Sequence, residues 1–107
     1  MLVDHRTYHV HPGTLHLQLG IYEKFGFEVQ KRYLGEPLAF LVTETGDLNT
    51  YVHLWAYEDA TDRERRRKAL NEDPSWLVYV EKAFAAGYII KQVTKLMTPA
   101  PFSPITR

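Results

Sequence analysis

The chain is expected to form an α+β domain in which one antiparallel four-stranded sheet packs against helices, and three observations carry that expectation. Strand-like and helix-like runs follow one another as strand, helix, strand, strand, helix, strand, glycine or proline stands at most junctions, and 107 residues suffice for one core and not two. Two such halves make the split arrangement of the ferredoxin-like fold, βαββαβ, which places both helices on one sheet face and leaves the other uncovered.

Each element has a local reason. Residues 2–10 are rich in Val, Thr and Tyr and end at the His11-Pro12-Gly13 turn signal, after which Thr14 is a fitting helix N-cap. From Leu15 the apolar positions Leu15, Leu19 and Tyr22, with Leu17, Ile21 and Phe25 beside them, follow helical spacing until Gly26 offers a stop, and residues 27–34 extend the helical segment to Gly35. Pro37 opens the second strand, Leu38 to Val42, which runs on through Thr43 and Thr45. Gly46-Asp47-Leu48-Asn49 carries turn residues between two strand-like runs, so the second and third strands are expected to form a hairpin. Asp59 can cap a polar helix reaching Asn71, and Asp73-Pro74 restarts the helix with proline in its first turn. Trp76, Leu77, Val80, Ala83 and Phe84 recur at three and four, Gly87 ends the helix, and Tyr88 to Met97 reads as the last strand.

Composition excludes several classes of function. Thirteen basic and thirteen acidic residues cancel, so no whole-molecule field draws in nucleic acid or an anionic membrane. The absence of cysteine removes disulfides, thiolate metal sites and cysteine nucleophiles and suits a reducing compartment. Charge occupies the first residues where a secretion signal would be apolar, and no apolar run approaches the ~20 residues that span a bilayer, so a cytoplasmic protein with neither membrane nor nucleic-acid partner is expected. His5, His9 and His11 share strand parity but lack a carboxylate partner or a helix-borne histidine pair, so no metal site is expected. Ser75 and Ser103 have no evident base. The run from Asp62 to Lys68, with Asp59 ahead of it, makes acid-before-base pairs at four residues (Asp59 with Arg63, Asp62 with Arg66, Glu64 with Lys68) and reads as a solvated helix face.

The third strand carries the functional signal. At period two, Tyr51, His53, Trp55 and Tyr57 lie on one face and Val52, Leu54 and Ala56 on the other. If the helices cover the aliphatic face, the aromatic face looks away from them, joined by Asp4, Arg6 and Tyr8 of the neighbouring first strand. A carboxylate, a guanidinium, a phenol and an imidazole walled by Trp55 could bind an anionic aromatic or keto-acid-like ligand, with His53 titrating near neutral pH as base or acid and Arg6 fixing the anion. In the structural alternative, Asp4 and Arg6 only pair, Tyr8 and Trp55 fill core, and His53 satisfies a carbonyl.

The runs Asp4-His5-Arg6-Thr7-Tyr8, Pro12-Gly13, Gln30-Lys31-Arg32 with Leu34-Gly35, Thr43-Glu44-Thr45-Gly46 with Leu48-Asn49, His53-Leu54-Trp55-Ala56-Tyr57, Asp62-Arg63, Arg66-Arg67 and Pro101-Phe102-Ser103-Pro104 together resemble the NIPSNAP family over nearly the whole chain. Asp4 departs from the pattern, which usually has glutamate there. The resemblance implies a dimeric ferredoxin-like α/β barrel in which two sheets face one another, the architecture of small monooxygenases of antibiotic biosynthesis and related cofactor-free enzymes. Related barrels also place a histidine beside haem, an alternative that colour would decide.

The expected protein is therefore a small-molecule-binding homodimer without a cofactor, either a cofactor-independent oxygenase or isomerase acting on a small aromatic or acidic substrate, or a non-catalytic ligand-binding or interaction domain. His53 and Arg6 are the candidate catalytic residues, and Asp4, Tyr8, Tyr51, Trp55 and Tyr57 the candidate ligand contacts. The domain is expected over 1–98 and a proline-rich extended arm over 99–107, with Phe102 either anchoring on the partner subunit or lying in a frayed terminus.

Overall fold

The computed structural model describes residues 1–105. The elements run β1 (Leu2–Val10), α1 (Leu15–Phe25), α2 (Phe27–Leu34), β2 (Ala39–Val42), β3 (Thr50–Tyr57), α3 (Ala60–Glu72), α4 (Pro74–Ala86) and β4 (Ile89–Met97). The four strands form one antiparallel sheet in the order β2-β3-β1-β4, the ferredoxin-like arrangement. No helix among the described residues is long and apolar enough to cross a membrane.

The junctions follow local chemistry. The Gly87 backbone adopts φ +69°, the left-handed turn that ends α4, and its N–H returns to the Ala83 carbonyl. Asp59 accepts from the Asp62 N–H to cap α3, and Asp73 accepts from Ser75 to cap α4 with Pro74 in the first turn. Thr14 occupies the cap position of α1 without capping it, because its hydroxyl donates back to the His11 carbonyl at 2.6 Å. Gly26 separates α1 from α2, and a side chain there would press on Tyr79, its Cβ 3.0 Å from the ring.

The register sorts the sheet into two faces. Rows Phe40–His53–Arg6–Thr94 and Val42–Tyr51–Tyr8–Gln92 cross one face, and rows Leu41–Val52–Thr7–Val93 and Ala39–Leu54–His5–Lys95 cross the other. The helices meet the face that carries Asp4, Tyr51, His53 and Trp55. Gln18 of α1 reaches Tyr51, Tyr22 of α1 lies against His53, Arg63 of α3 binds Asp4, and Val29 and Leu34 of α2 pack with Leu70 of α3 around Trp55.

The expectation that helices cover Val52, Leu54 and Ala56 is thereby overturned, and with it the inward-facing chamber completed by a second copy. The reason lies in the helices. Beside the aliphatic Val29, Leu34 and Leu70, their inner stripes offer Gln18, Tyr22, Gln30 and Tyr79, all buried, whereas Leu17, Leu77, Val80 and Phe84 of the anticipated apolar stripes are exposed. Gln18 meets Tyr51 of the sheet and Tyr79 of α4, and Tyr22 meets Gln30 of α2, because buried donors and acceptors must find one another.

In the arm, Ser103 N–H bonds the Ala100 carbonyl at 2.9 Å, so the chain turns there rather than running straight, and Phe102 is 91% exposed. Thr106 and Arg107, the end of the expected arm, lie outside the described residues.

Candidate functional site

Between the sheet and the chain's own helices lies a cavity of about 600 Å³. Arg6 and Tyr8 of β1, Phe40 of β2, and Tyr51 and His53 of β3 form its floor. Tyr22, Gln30, Arg67, Asn71, Trp76 and Tyr79 come down from all four helices, and Val80, Ala83 and Phe84 line it from the exposed side of α4.

The floor is a lattice of rings. Tyr8 stacks on Tyr51 at 5.0 Å and on His53 at 5.1 Å between centroids, Phe40 stacks on His53 at 4.8 Å, and Tyr22 closes on Phe40 at 5.1 Å. With His53 stacked between Tyr8 and Phe40, these mutually braced rings form an aromatic wall for a ligand. Gln18 holds the α1 side by donating to the hydroxyl of Tyr79 at 3.0 Å and of Tyr51 at 3.5 Å, and Tyr22 donates to the Gln30 side-chain oxygen. Burial raises the ionisation of Tyr22 and Tyr51 well above the usual phenol range and pushes Tyr79 up to about 12, so these phenols are neutral at physiological pH.

The charges are unbalanced towards positive. Asp4, fully buried, is shared by two guanidiniums, Arg6 Nε at 3.2 Å and Arg63 Nε at 3.0 Å. Arg67 faces the cavity and makes no ion pair with a carboxylate among the described residues. One carboxylate thus answers three guanidiniums, and Arg6 and Arg67 of the three line the cavity.

Of the residues expected at the site, Arg6, Tyr8, Tyr51 and His53 line the cavity. Asp4, Trp55 and Tyr57 lie behind the wall, each buried, with Trp55 and Tyr57 in the core cluster of Val29, Leu34 and Leu70. The expectation that His53 titrates near neutrality is corrected. Burial first, then the Arg6 and Arg67 charges, lower its ionisation to about 3, and its Nδ1 accepts a hydrogen bond from Trp55 Nε1. Arg67 was missed because the α3 run looks solvated in sequence, Tyr22 of α1 because it reads as an apolar helix position, and Tyr79 of α4 because it falls outside the apolar repeat read there. The signal for Arg67 was the four-residue spacing of Arg63 and Arg67 on the same side as Leu70. Asp62 instead takes the outward arginines, Arg65 at 2.6 Å and Arg66 at 2.9 Å.

Comparison with known proteins places this geometry in a lineage. The chain is 40% identical over 80 residues to a NipSnap homolog of Dictyostelium discoideum, covering 75% of the chain and 35% of that protein. It is 32% identical over 100 residues to NipSnap homolog 1 of Danio rerio, covering 94% of the chain and 34% of the relative, so it spans about a third of these relatives' length. Among solved structures, a NIPSNAP family protein from Agrobacterium tumefaciens superposes with a TM-score of 0.91 at 37% identity, over 99% of this chain and 94% of that one. An antibiotic biosynthesis monooxygenase superposes with a TM-score of 0.62 at 17% identity, over 94% of this chain and 100% of that one, a likeness of fold. The NIPSNAP family model matches residues 3–104, all of the sheet but its first residue and every helix that roofs the cavity, and the chain belongs to the NIPSNAP family.

Proposed function

We propose that this protein is a homodimer that binds a small acidic aromatic compound in the cavity of each chain, with cofactor-independent oxygenation or isomerisation of that compound as its reaction in the cytoplasm. The observation that carries the reading is the pair of guanidiniums, Arg6 and Arg67, converging on a ring-walled cavity where a single carboxylate is already committed to Arg6 and Arg63. An anion supplies the missing charge, and the ring-lined floor supplies aromatic contact. Oxygenation is favoured by the fold shared with the antibiotic biosynthesis monooxygenase, and His53, neutral with its Nδ1 engaged, leaves the ligand's own ionisation rather than proton abstraction by imidazole as the entry to chemistry.

Titration with salicylate, followed by NMR, tests the pocket. Arg67→Met is the informative variant because Arg67 bridges no carboxylate among the described residues, and it should weaken salicylate at least about tenfold, the scale of one charge-assisted contact. Equal affinity in both proteins contradicts the reading.

The homodimer reading is supported by the uncovered sheet face. Leu41, Val52 and Val93 lie in one cross-strand row and Ala39 and Leu54 in the next, with Leu41 and Met97 exposed. These aliphatic residues, set among Thr7, His5 and Lys95, need a cover, and a second copy offers the same face by two-fold symmetry. Val52→Lys at the centre of that face should convert the dimer to monomer in sedimentation velocity at micromolar concentration, and a wild-type protein that sediments as a monomer removes this part of the proposal.

A further inference from the structure

Two hydrogen-bond assignments at the cavity wall are forced by chemistry. An indole nitrogen can only donate, so the bond from Trp55 Nε1 makes His53 Nδ1 an acceptor, and the imidazole proton must sit on Nε2. A guanidinium can only donate, so the bond from Arg6 Nη1 to Tyr8 Oη at 3.1 Å occupies the phenol as acceptor and leaves its hydrogen to be given elsewhere. Neither His53 Nε2 nor the Tyr8 hydroxyl hydrogen meets an acceptor among the described residues, and both side chains line the cavity with their rings stacked at 5.1 Å. They therefore form a donor pair on one patch of wall.

Around the pair, the charged and titratable groups are Arg6 on β1, Arg67 on α3, Tyr22 on α1, Tyr51 on β3 and Tyr79 on α4, with Asp4 behind the floor. None of the groups that face the cavity is anionic at neutral pH, since the phenols are held protonated. The surroundings reward an acceptor bearing negative charge and offer a protonated hydroxyl no base.

The geometry points to a pocket that takes its ligand as a preformed oxyanion, a phenolate or enolate whose oxygen is held between His53 Nε2–H and the Tyr8 hydroxyl, and that discriminates against the neutral phenol or enol. Trp55 is then a positioning residue: it reaches the ligand only through the tautomer it imposes on His53. The inference rests on the anion pocket proposed above and adds the ionisation state of the ligand and the two atoms that read it.

The probe is 4-nitrophenol, whose ionised form alone absorbs in the visible. Bound to the protein, it should ionise at least about one pH unit lower than in free solution, equivalent to a tenfold preference for phenolate. Tyr8→Phe should shrink that displacement by removing one donor, and Trp55→Phe should shrink it by freeing Nδ1 to carry the proton. Since Trp55 lies in the core, the histidine tautomer is read independently by ¹⁵N NMR, which should show a protonated Nε2 and an unprotonated Nδ1 in the wild-type protein. An unchanged or raised ionisation midpoint, variants that match the wild type, or a protonated Nδ1 overturns the inference. So does failure of 4-nitrophenol to bind while salicylate still does. Failure of both probes overturns the pocket reading with it.

Discussion

His53 shows how burial and neighbours replace one function of a side chain by another. An imidazole in water would titrate at 6.5, but here burial and the Arg6 and Arg67 charges bring it to about 3. The groups facing it are Arg6 and Tyr8 from β1, Phe40 from β2, Tyr22 from α1, Arg67 from α3 and Trp55 from its own strand, and no carboxylate among them favours the cation. The consequence for stability has a definite sign. Between 6.5 and 3 the unfolded chain holds a proton on this residue that the folded chain does not, so stability rises with pH through that window and is lost on acidification below 6.5. The slope from this one group is at most about 1.4 kcal/mol per pH unit. His53→Gln, which keeps an acceptor for the indole, should show a shallower fall in urea stability between roughly pH 6 and 4.5 than the wild type, where one proton is at stake. Parallel curves would mean that His53 is already able to take up its proton in the folded state. None of this was legible in sequence, where a histidine on an aromatic strand face reads equally as a titrating base. Only the indole two residues along, which becomes visible as a partner once the rotamers are fixed, decides between them.

At the scale of elements, the boundaries were readable because they depend on local backbone chemistry. Gly87 with positive φ, Pro74 at the first turn of α4 and the Asp59 and Asp73 caps mark their helices without reference to anything distant. Gly26 was legible as a helix stop but not as a packing site. Its second role is to let Tyr79 of α4 approach the α1–α2 junction, where an added Cβ would stand 3.0 Å from Tyr79 Cγ and 3.2 Å from Tyr22 Cδ2. Both rings belong to the cavity wall. Gly26→Ala should therefore cost about 1–3 kcal/mol, the range for overpacking, and weaken salicylate as the rings move. A melting temperature and an affinity both equal to wild type would show that Tyr79 has room to yield.

At the scale of the whole molecule, the strand order and the pairing of β1 with β3 could be anticipated, and so Asp4, Arg6 and Tyr8 do stand beside Trp55, His53 and Tyr51. Which face the helices would cover could not. Alternation at period two defines two faces but does not rank them, and the aliphatic face looked like the natural floor for helices. The ranking came from the helices' inner residues: Gln18 reaches Tyr51 on the aromatic face and also Tyr79 of α4, Tyr22 pairs with Gln30, and Tyr22 lies against Phe40 and His53 of the sheet. The cavity consequently belongs to one chain, while the aliphatic rows are free to meet a second copy. The measurement that reaches this claim most directly is the salicylate titration read site by site in the NMR spectrum. The account predicts that signals of Arg6, His53, Arg67 and Tyr79 move together and saturate, while Thr7, Val52 and Val93 on the opposite face stay still. Saturable shifts confined to Thr7, Val52 and Val93, with Arg6 and Tyr79 unmoved, would contradict it.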